Sequence, residues 1–211
     1  MRIAVTYVFP NLNIPVYEPL AKRFVESYIN NPPGLSDHET YVLVNGGKIS
    51  ERQHNLFHPL PVKVVQCTNY GKDIGAFQTA AGQIECDLLV CLGSHIHFHK
   101  PGWLDRIAWS YMENGPALYG AWGFHMPTSH IRTTAFWIPP ELFLAYPRAV
   151  SDSYRYQFES GRDSLTSEVL KWGYDCLQVT WDNVLPVKEW RHLGNDECLM
   201  LDQHTDRMGY K

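Results

Sequence analysis

Residues 3–9 form an almost unbroken apolar run, Ile3-Ala4-Val5-Thr6-Tyr7-Val8-Phe9. Such a run suits a strand covered on both faces, as in a parallel sheet. The period then changes. Val16, Leu20, Phe24 and Tyr28 fall four apart while Glu18, Lys22 and Glu26 face water, so residues 16–28 read as an amphipathic helix. Asn30-Asn31-Pro32-Pro33-Gly34 ends it. A second strand at 40–44 is closed by Asn45-Gly46-Gly47, and a third spans 62–67. Residues 73–84 read as a helix, 87–92 as a fourth strand, and 104–112 as a helix after Pro101-Gly102. This alternation predicts an α/β fold with a mostly parallel central sheet flanked by helices. Ligands in such sheets bind beyond the carboxyl ends of the strands. The segments after Phe9, Cys67 and Leu92 are therefore the places to look for chemistry.

The second half is less regular. Residues 117–122 and 131–138 read as short strands around a loop rich in His, Met and Pro. Pro139-Pro140-Glu141 opens a short helix, since proline suits the first turn. Residues 151–161 are polar and aromatic and read as a mobile loop. Asp163 or Ser164 caps a helix to Trp172, which Gly173 ends. Residues 176–181 read as a last strand, and the tail from Lys188 has no clear period. No repeat or low-complexity linker divides the 211 residues, so one domain is expected. Its parts are a first half at 1–115, a second at 116–187 and a tail at 188–211.

Composition narrows the function. A net charge of −4 leaves no basic footprint for nucleic acid. The five cysteines are scattered without paired spacing, which fits reduced, buried thiols and a cytoplasmic protein. The N-terminus starts a strand at once, without a leader-like apolar region, and no run is long enough to cross a bilayer. Seven Trp and twelve Tyr exceed what a small core needs, and exposed rings commonly stack on sugars or bases.

Five constellations carry candidate chemistry. In Asn69-Tyr70-Gly71-Lys72-Asp73-Ile74-Gly75, Gly71 and Gly75 let backbone approach a ligand, and a helix start offers free N–H groups. Asn69 and Asp73 suit a ribose or a base edge; the alternative is a plain turn with Asp73 as the helix cap. In Gly93-Ser94-His95-Ile96-His97-Phe98-His99, three His alternate, so an extended segment points them to one face and a divalent cation fits between neighbours. Exposed or backbone-satisfied loop histidines are the alternative. Arg162-Asp163-Ser164 and Glu168 offer a carboxylate as general base, against a helix cap for Asp163 and a solvated face for Glu168. Arg132, beside His125, His130, Thr133 and Thr134, suits a phosphate or is a surface arginine. In the tail, His192-Leu193-Gly194 and His204 offer further imidazoles.

Together these pieces resemble GT-A glycosyltransferases, in particular the family-2-like and rhamnan-synthesis-like groups, over roughly residues 1–181. Asn69-x-Gly71-x-Asp73-x-Gly75-Ala76 is similar to the nucleotide-contacting turn. The run from Asp87 to His95 is similar to the strand that ends in the family's DxD signature, and Pro101-Gly102-Trp103-Leu104 to the segment after it. The stretch from Ala135 to Phe143 is similar to the strand and helix near the acceptor, and 163–174 to the helix carrying the base in inverting members. The DxD carboxylates are absent, and Gly93-Ser94-His95 stands in their place.

The resemblance implies a single GT-A, Rossmann-like domain with a nucleotide-sugar-binding half and an acceptor-side half. It implies transfer of a sugar from a nucleoside-diphosphate donor, with UDP favoured, to a hydroxyl acceptor. By position His95 inherits the metal, with His97 as helper and His192 as a further ligand. Neutral imidazoles would favour Mn²⁺ over Mg²⁺. Ser94 would meet the ribose, Thr6 and Tyr7 would line the nucleotide pocket, Lys72 and Arg132 would add charge at the phosphates, and Asp163, then Glu168, would be the base. Two rival classes stay open: a non-catalytic nucleotide-sugar or carbohydrate-binding protein on a degenerate fold, and a zinc hydrolase built on the His cluster.

Overall fold

The structure is a computed structural model that describes residues 1–12, 14–203 and 205. Its first half contains β1 (Ile3–Asn11), α1 (Tyr17–Asn30), β2 (His38–Gly46), α2 (Glu51–Phe57), β3 (Val62–Cys67), α3 (Lys72–Gln83), β4 (Leu88–Leu92) and α4 (Trp103–Asn114). Then come β5 (Ala117–Gly120), β6 (Gly123–Phe124), β7 (His130–Ile131), β8 (Ala135–Ile138), α5 (Pro140–Leu144), α6 (Arg155–Ser160), α7 (Leu165–Lys171), β9 (Asp175–Val179) and β10 (Val184–Pro186).

Eight strands form one sheet in the order β10-β9-β5-β8-β4-β1-β2-β3, and β6 and β7 form a small hairpin sheet. β3, β2, β1 and β4 are mutually parallel, as are β5 and β9. β8 runs against both β4 and β5, and β10 against β9. The expected mostly parallel sheet with helices on both faces is what forms.

Period-two alternation builds the two cores. From β1, Ile3, Val5, Tyr7 and Phe9 enter the core under α1, α2 and α4, while Ala4 and Val8 enter the one under α3, α5, α6 and α7. β4 divides the same way: Leu88, Val90 and Leu92 on one face, Leu89 and Cys91 on the other. Both faces are covered, which is why these strands read as continuous apolar runs. Rings fill the first core; Tyr7 stacks on Phe24 at 4.0 Å and Phe98 on Trp103 at 3.9 Å.

Three elements differ from the sequence reading. α2 shows no apolar stripe and buries only Phe57, so periodicity misses it; its signal is the capping box between Ser50 and Gln53. The segment read as a mobile loop is a 3-10 turn, Asp152–Tyr154, followed by α6, which seats Phe158 in the core. β9 is not the last strand, because β10 pairs back onto it. The tail also contributes core: Cys198, Leu199 and Met200 are fully buried, and Leu201 bridges to His97. No helix among the described residues is long and apolar enough to cross a membrane.

All five cysteines are free thiols. Burial pushes Cys67, Cys86 and Cys198 up to about 11, and Cys91 and Cys176 higher still. Thiolate is the reactive form. The folded protein should therefore react slowly with a disulfide reagent at pH 8, and five thiols should appear on denaturation. Rapid native reaction of more than one thiol would contradict this packing.

Candidate active site

The chain leaves β1 through α1 to β2 and α2 to β3 on one face, then returns through α3 on the other face to β4. The strand order therefore reverses between β1 and β4. Such a switch point opens a crevice at the carboxyl ends of its two strands. The β4 end is a turn: Ile96 N donates to Gly93 O at 3.1 Å, and Gly93 N donates to Thr134 O at 2.8 Å. A Cβ on Gly93 would stand 3.1 Å from Thr134 O, so glycine suits this closeness to the entry of β8.

On the neighbouring strand ends, Asn45 of β2 is 1% exposed, and its Oδ1 is buried without a hydrogen-bond partner. Asn69, two residues past β3, likewise has a buried Oδ1 without a partner. A buried amide oxygen left so costs about 1–3 kcal/mol. Asn45 pairs in register with Cys67, so both amides belong to one corner of the carboxyl edge.

The turn into α3 is tight. Gly71 caps α3 with φ 71°, and a Cβ there would lie 2.0 Å from Val150 O. A Cβ on Gly75 would lie 1.9 Å from Tyr70 O. Lys72 also takes a left-handed φ of 54°, which costs a side-chain-bearing residue about 1–2 kcal/mol. Asp152 secures this turn, accepting from Gly71 N at 2.9 Å and pairing with Lys72 Nζ at 3.0 Å. The Gly71 amide, read as open to a ligand, and the Lys72 ammonium, read as lying at the phosphates, are thus both paired with a carboxylate. Asp73 is not the helix cap; it pairs with Arg155 of α6 at 2.6 Å. Burial raises its pKa, against the pull of Arg155.

Beside this pair lies a cleft of about 230 Å³ lined by Ile74, Thr133, Arg155, Tyr156 and Glu159. Glu159 accepts from Thr133 N at 2.9 Å and from the Thr133 hydroxyl. Sequence reasoning missed Glu159 because its segment read as a loop; the buried Phe158 beside it was the available sign of a packed helix.

Several expected site residues lie elsewhere. Thr6 and Tyr7 are in the middle of β1 and fully buried. Thr6 Oγ1 donates to Val90 O at 2.8 Å, and Tyr7 OH to Ser94 O at 2.9 Å, so Tyr7 supports the β4 turn from below. Asp163 and Glu168 share Lys171, at 3.9 and 2.7 Å, while Leu165, Thr166 and Val169 form the buried face of α7. The cap of α7 is Ser164, not Asp163. Arg132 pairs at 3.2 Å with the fully buried Asp202 and lies 5.5 Å from the Trp122 ring centre, so its charge is committed inside the protein.

The three alternating histidines do not converge. His95 is half-buried on the turn after β4. His97 is 7% exposed with Nε2 2.6 Å from an Arg23 guanidinium nitrogen. Arginine only donates, so that Nε2 accepts and is not available to a metal. His99 Nε2 lies 2.7 Å from Cys198 O. His192 is exposed and meets Phe124 edge-on at 5.4 Å. The alternation fails because 93–96 turns rather than extends. No group of three His, Cys, Asp or Glu side chains fit to hold a metal ion forms among the described residues. Among the described residues the donors thus do not assemble the His-held Mn²⁺ centre that the resemblance implied. His204 lies outside the described residues.

No protein-family profile matches the chain, and no curated protein matches it by sequence. Solved structures do match in shape. A mannosyltransferase from Pyrobaculum calidifontis, solved with GDP-Man and Mn²⁺, is 12% identical with a TM-score of 0.57 over 82% of this chain and 54% of that one. The galactosyltransferase LgtC, solved with donor and acceptor sugar analogues, is 12% identical with a TM-score of 0.52 over 80% and 70%. HddC from Yersinia pseudotuberculosis is 12% identical with a TM-score of 0.50 over 74% and 84%. This chain thus spans about half of the mannosyltransferase's length. What it shares with these proteins is the fold, a GT-A, Rossmann-like α/β domain.

Proposed function

We propose that this protein transfers a sugar from a nucleoside-diphosphate donor, UDP-linked in the first instance, to a hydroxyl acceptor. The observation that carries the reading is the pair of unpartnered Asn45 and Asn69 amide oxygens at the carboxyl ends of β2 and β3. Buried polar groups in a finished site have partners. A nucleoside supplies N–H and O–H donors for both oxygens. The likeness in fold to the mannosyltransferase and to LgtC supports the same reading.

In the reaction, the bond from the anomeric carbon to the diphosphate oxygen breaks, and its electron pair leaves with the diphosphate. The acceptor oxygen bonds to that carbon and gives up its proton. Glu159 is the proposed proton acceptor, because its carboxylate faces the cleft while Asp163 and Glu168 face Lys171. Thr133 orients it through two hydrogen bonds. Lys72 and Arg155 stand near the proposed diphosphate, each already paired with a carboxylate. The chain's own residues carry these steps, and no group of three metal-ligating side chains forms among the described residues.

The Asp152 contact favours a second reading, a nucleotide-sugar-binding protein without transfer, because it occupies the amide and ammonium that a phosphate would use. Turnover separates the two. UDP and GDP titrations should show binding that is the same with Mn²⁺ as with EDTA. Asn45→Ala and Asn69→Ala should each weaken it by about 0.5–1.5 kcal/mol, the value of one hydrogen bond. Asp152→Asn, which removes a competing anion, should tighten it. Nucleotide release from a panel of sugar nucleotides, with mixed saccharide acceptors, should fall about 10²–10⁴-fold in Glu159→Gln at unchanged nucleotide affinity. Binding without release in the wild type would select the second reading; no binding would end both.

A further inference from the structure

A cationic aromatic patch lies on the sheet face that carries α4, and the proposed transfer does not use it. Trp109, on the second turn of α4, is 49% exposed. Arg106, one turn earlier, lays its guanidinium 4.5 Å from the centre of that indole. Its Nε donates to Thr180 O at 2.8 Å, tying α4 to the segment after β9. Next in the chain, Trp181 donates its indole N–H to Cys198 O at 2.7 Å. Lys100 Nζ lies 5.8 Å from the Trp181 ring centre, and His99 meets that ring edge-on.

The charge of the patch is not spent on the protein. Lys100 donates to a backbone carbonyl, Asp196 O, at 2.7 Å. Arg106 Nη2 is buried and has no acceptor. Among the described residues neither cation forms an ion pair; Asp182 is the acidic group whose field reaches Arg106, and it only partly offsets the burial that lowers the Arg106 pKa. This contrasts with the crevice, where Lys72 and Arg155 each hold a carboxylate. In a chain of net charge −4, two cations that form no ion pair among the described residues, each set against an indole, are a specific feature.

We infer that this patch is a docking site for an acidic saccharide. Indole surfaces stack on the apolar C–H faces of sugar rings. Lys100, whose bond to the protein is to a neutral carbonyl, takes the carboxylate or phosphate of the saccharide through a charge-assisted hydrogen bond, and Arg106 adds its positive field from behind the Trp109 ring. Thr180 and Trp181 directly follow β9, and His99 and Lys100 follow β4. Both segments therefore leave the sheet at its carboxyl edge, on the face that carries α4. Binding by the patch stands apart from the proposed transfer; only the role of the saccharide as acceptor rests on it.

Tryptophan fluorescence titrations with tetragalacturonate, the neutral maltotetraose and inorganic phosphate test the inference. Tetragalacturonate should bind about tenfold more tightly than either comparison probe, and Trp109→Ala or Lys100→Ala should each remove about tenfold of that affinity, or about 1.4 kcal/mol. Unchanged melting temperature and UDP affinity in Trp109→Ala, a half-exposed position, show that the fold and crevice are intact. Equal binding of maltotetraose, phosphate as good as the tetrasaccharide, variants without effect, or no binding at all would each overturn it. Failure of UDP to bind while tetragalacturonate binds would count against the proposed transfer alone.

Discussion

The reversal of strand order between β1 and β4 is the constraint on which the rest of the structure depends. α1 and α2 take the chain outward on one face and α3 returns it on the other, so the connections leaving these two strands part to opposite faces. The sheet can be closed everywhere else and still leave an opening there. β8, antiparallel between β4 and β5, brings Thr133 and Thr134 to the same edge from the opposite direction. Glu159 and Arg155 reach that edge on α6, whose place is set by Phe158 in the core. The cleft therefore follows from topology, and its polar lining from the short helices docked around it.

Charge inside the crevice is closely balanced. Asp152 holds Lys72 and Asp73 holds Arg155, while beside the crevice Asp202 holds Arg132. Breaking a buried pair such as Arg132–Asp202 costs about 3–5 kcal/mol, because it strands the other charge. That pair is therefore a structural fixture beside the crevice. Asp152 is different: it is half-exposed and sits on a short turn, so a ligand phosphate competes with it at lower cost. Unsatisfied demand remains at the amide oxygens of Asn45 and Asn69 and at Arg155 Nε, and the proposed nucleotide ligand rests on these groups.

Much of the fold was legible in the sequence, because strands covered on both faces must be apolar throughout and residues 3–9 and 88–92 are. The turn at Gly71 was legible too, since only glycine tolerates its backbone and its closeness to Val150. What failed was inference from residue type to a shared face. His95, His97 and His99 alternate, yet a single turn at 93–96 sends His97 to Arg23 and His99 to Cys198. Asp163 looked like a base by its place before a helix, but tertiary packing turned Leu165 and Val169 inward and left Asp163 facing Lys171. Asn45 carried no signal beyond closing a strand; its role is visible only once its neighbours are known to leave it unpaired. α6 was hidden because six residues give too little periodicity to show.

Hydrogen exchange of the backbone amides with and without UDP or GDP tests the central claim most directly. Binding at the switch point should slow exchange at residues 45–47, 68–75 and 93–96 and leave α7 and the β9–β10 hairpin unchanged. Protection confined to the α7 region or to the far, amino-terminal edge of the sheet, or no protection at a saturating nucleotide concentration, would contradict it.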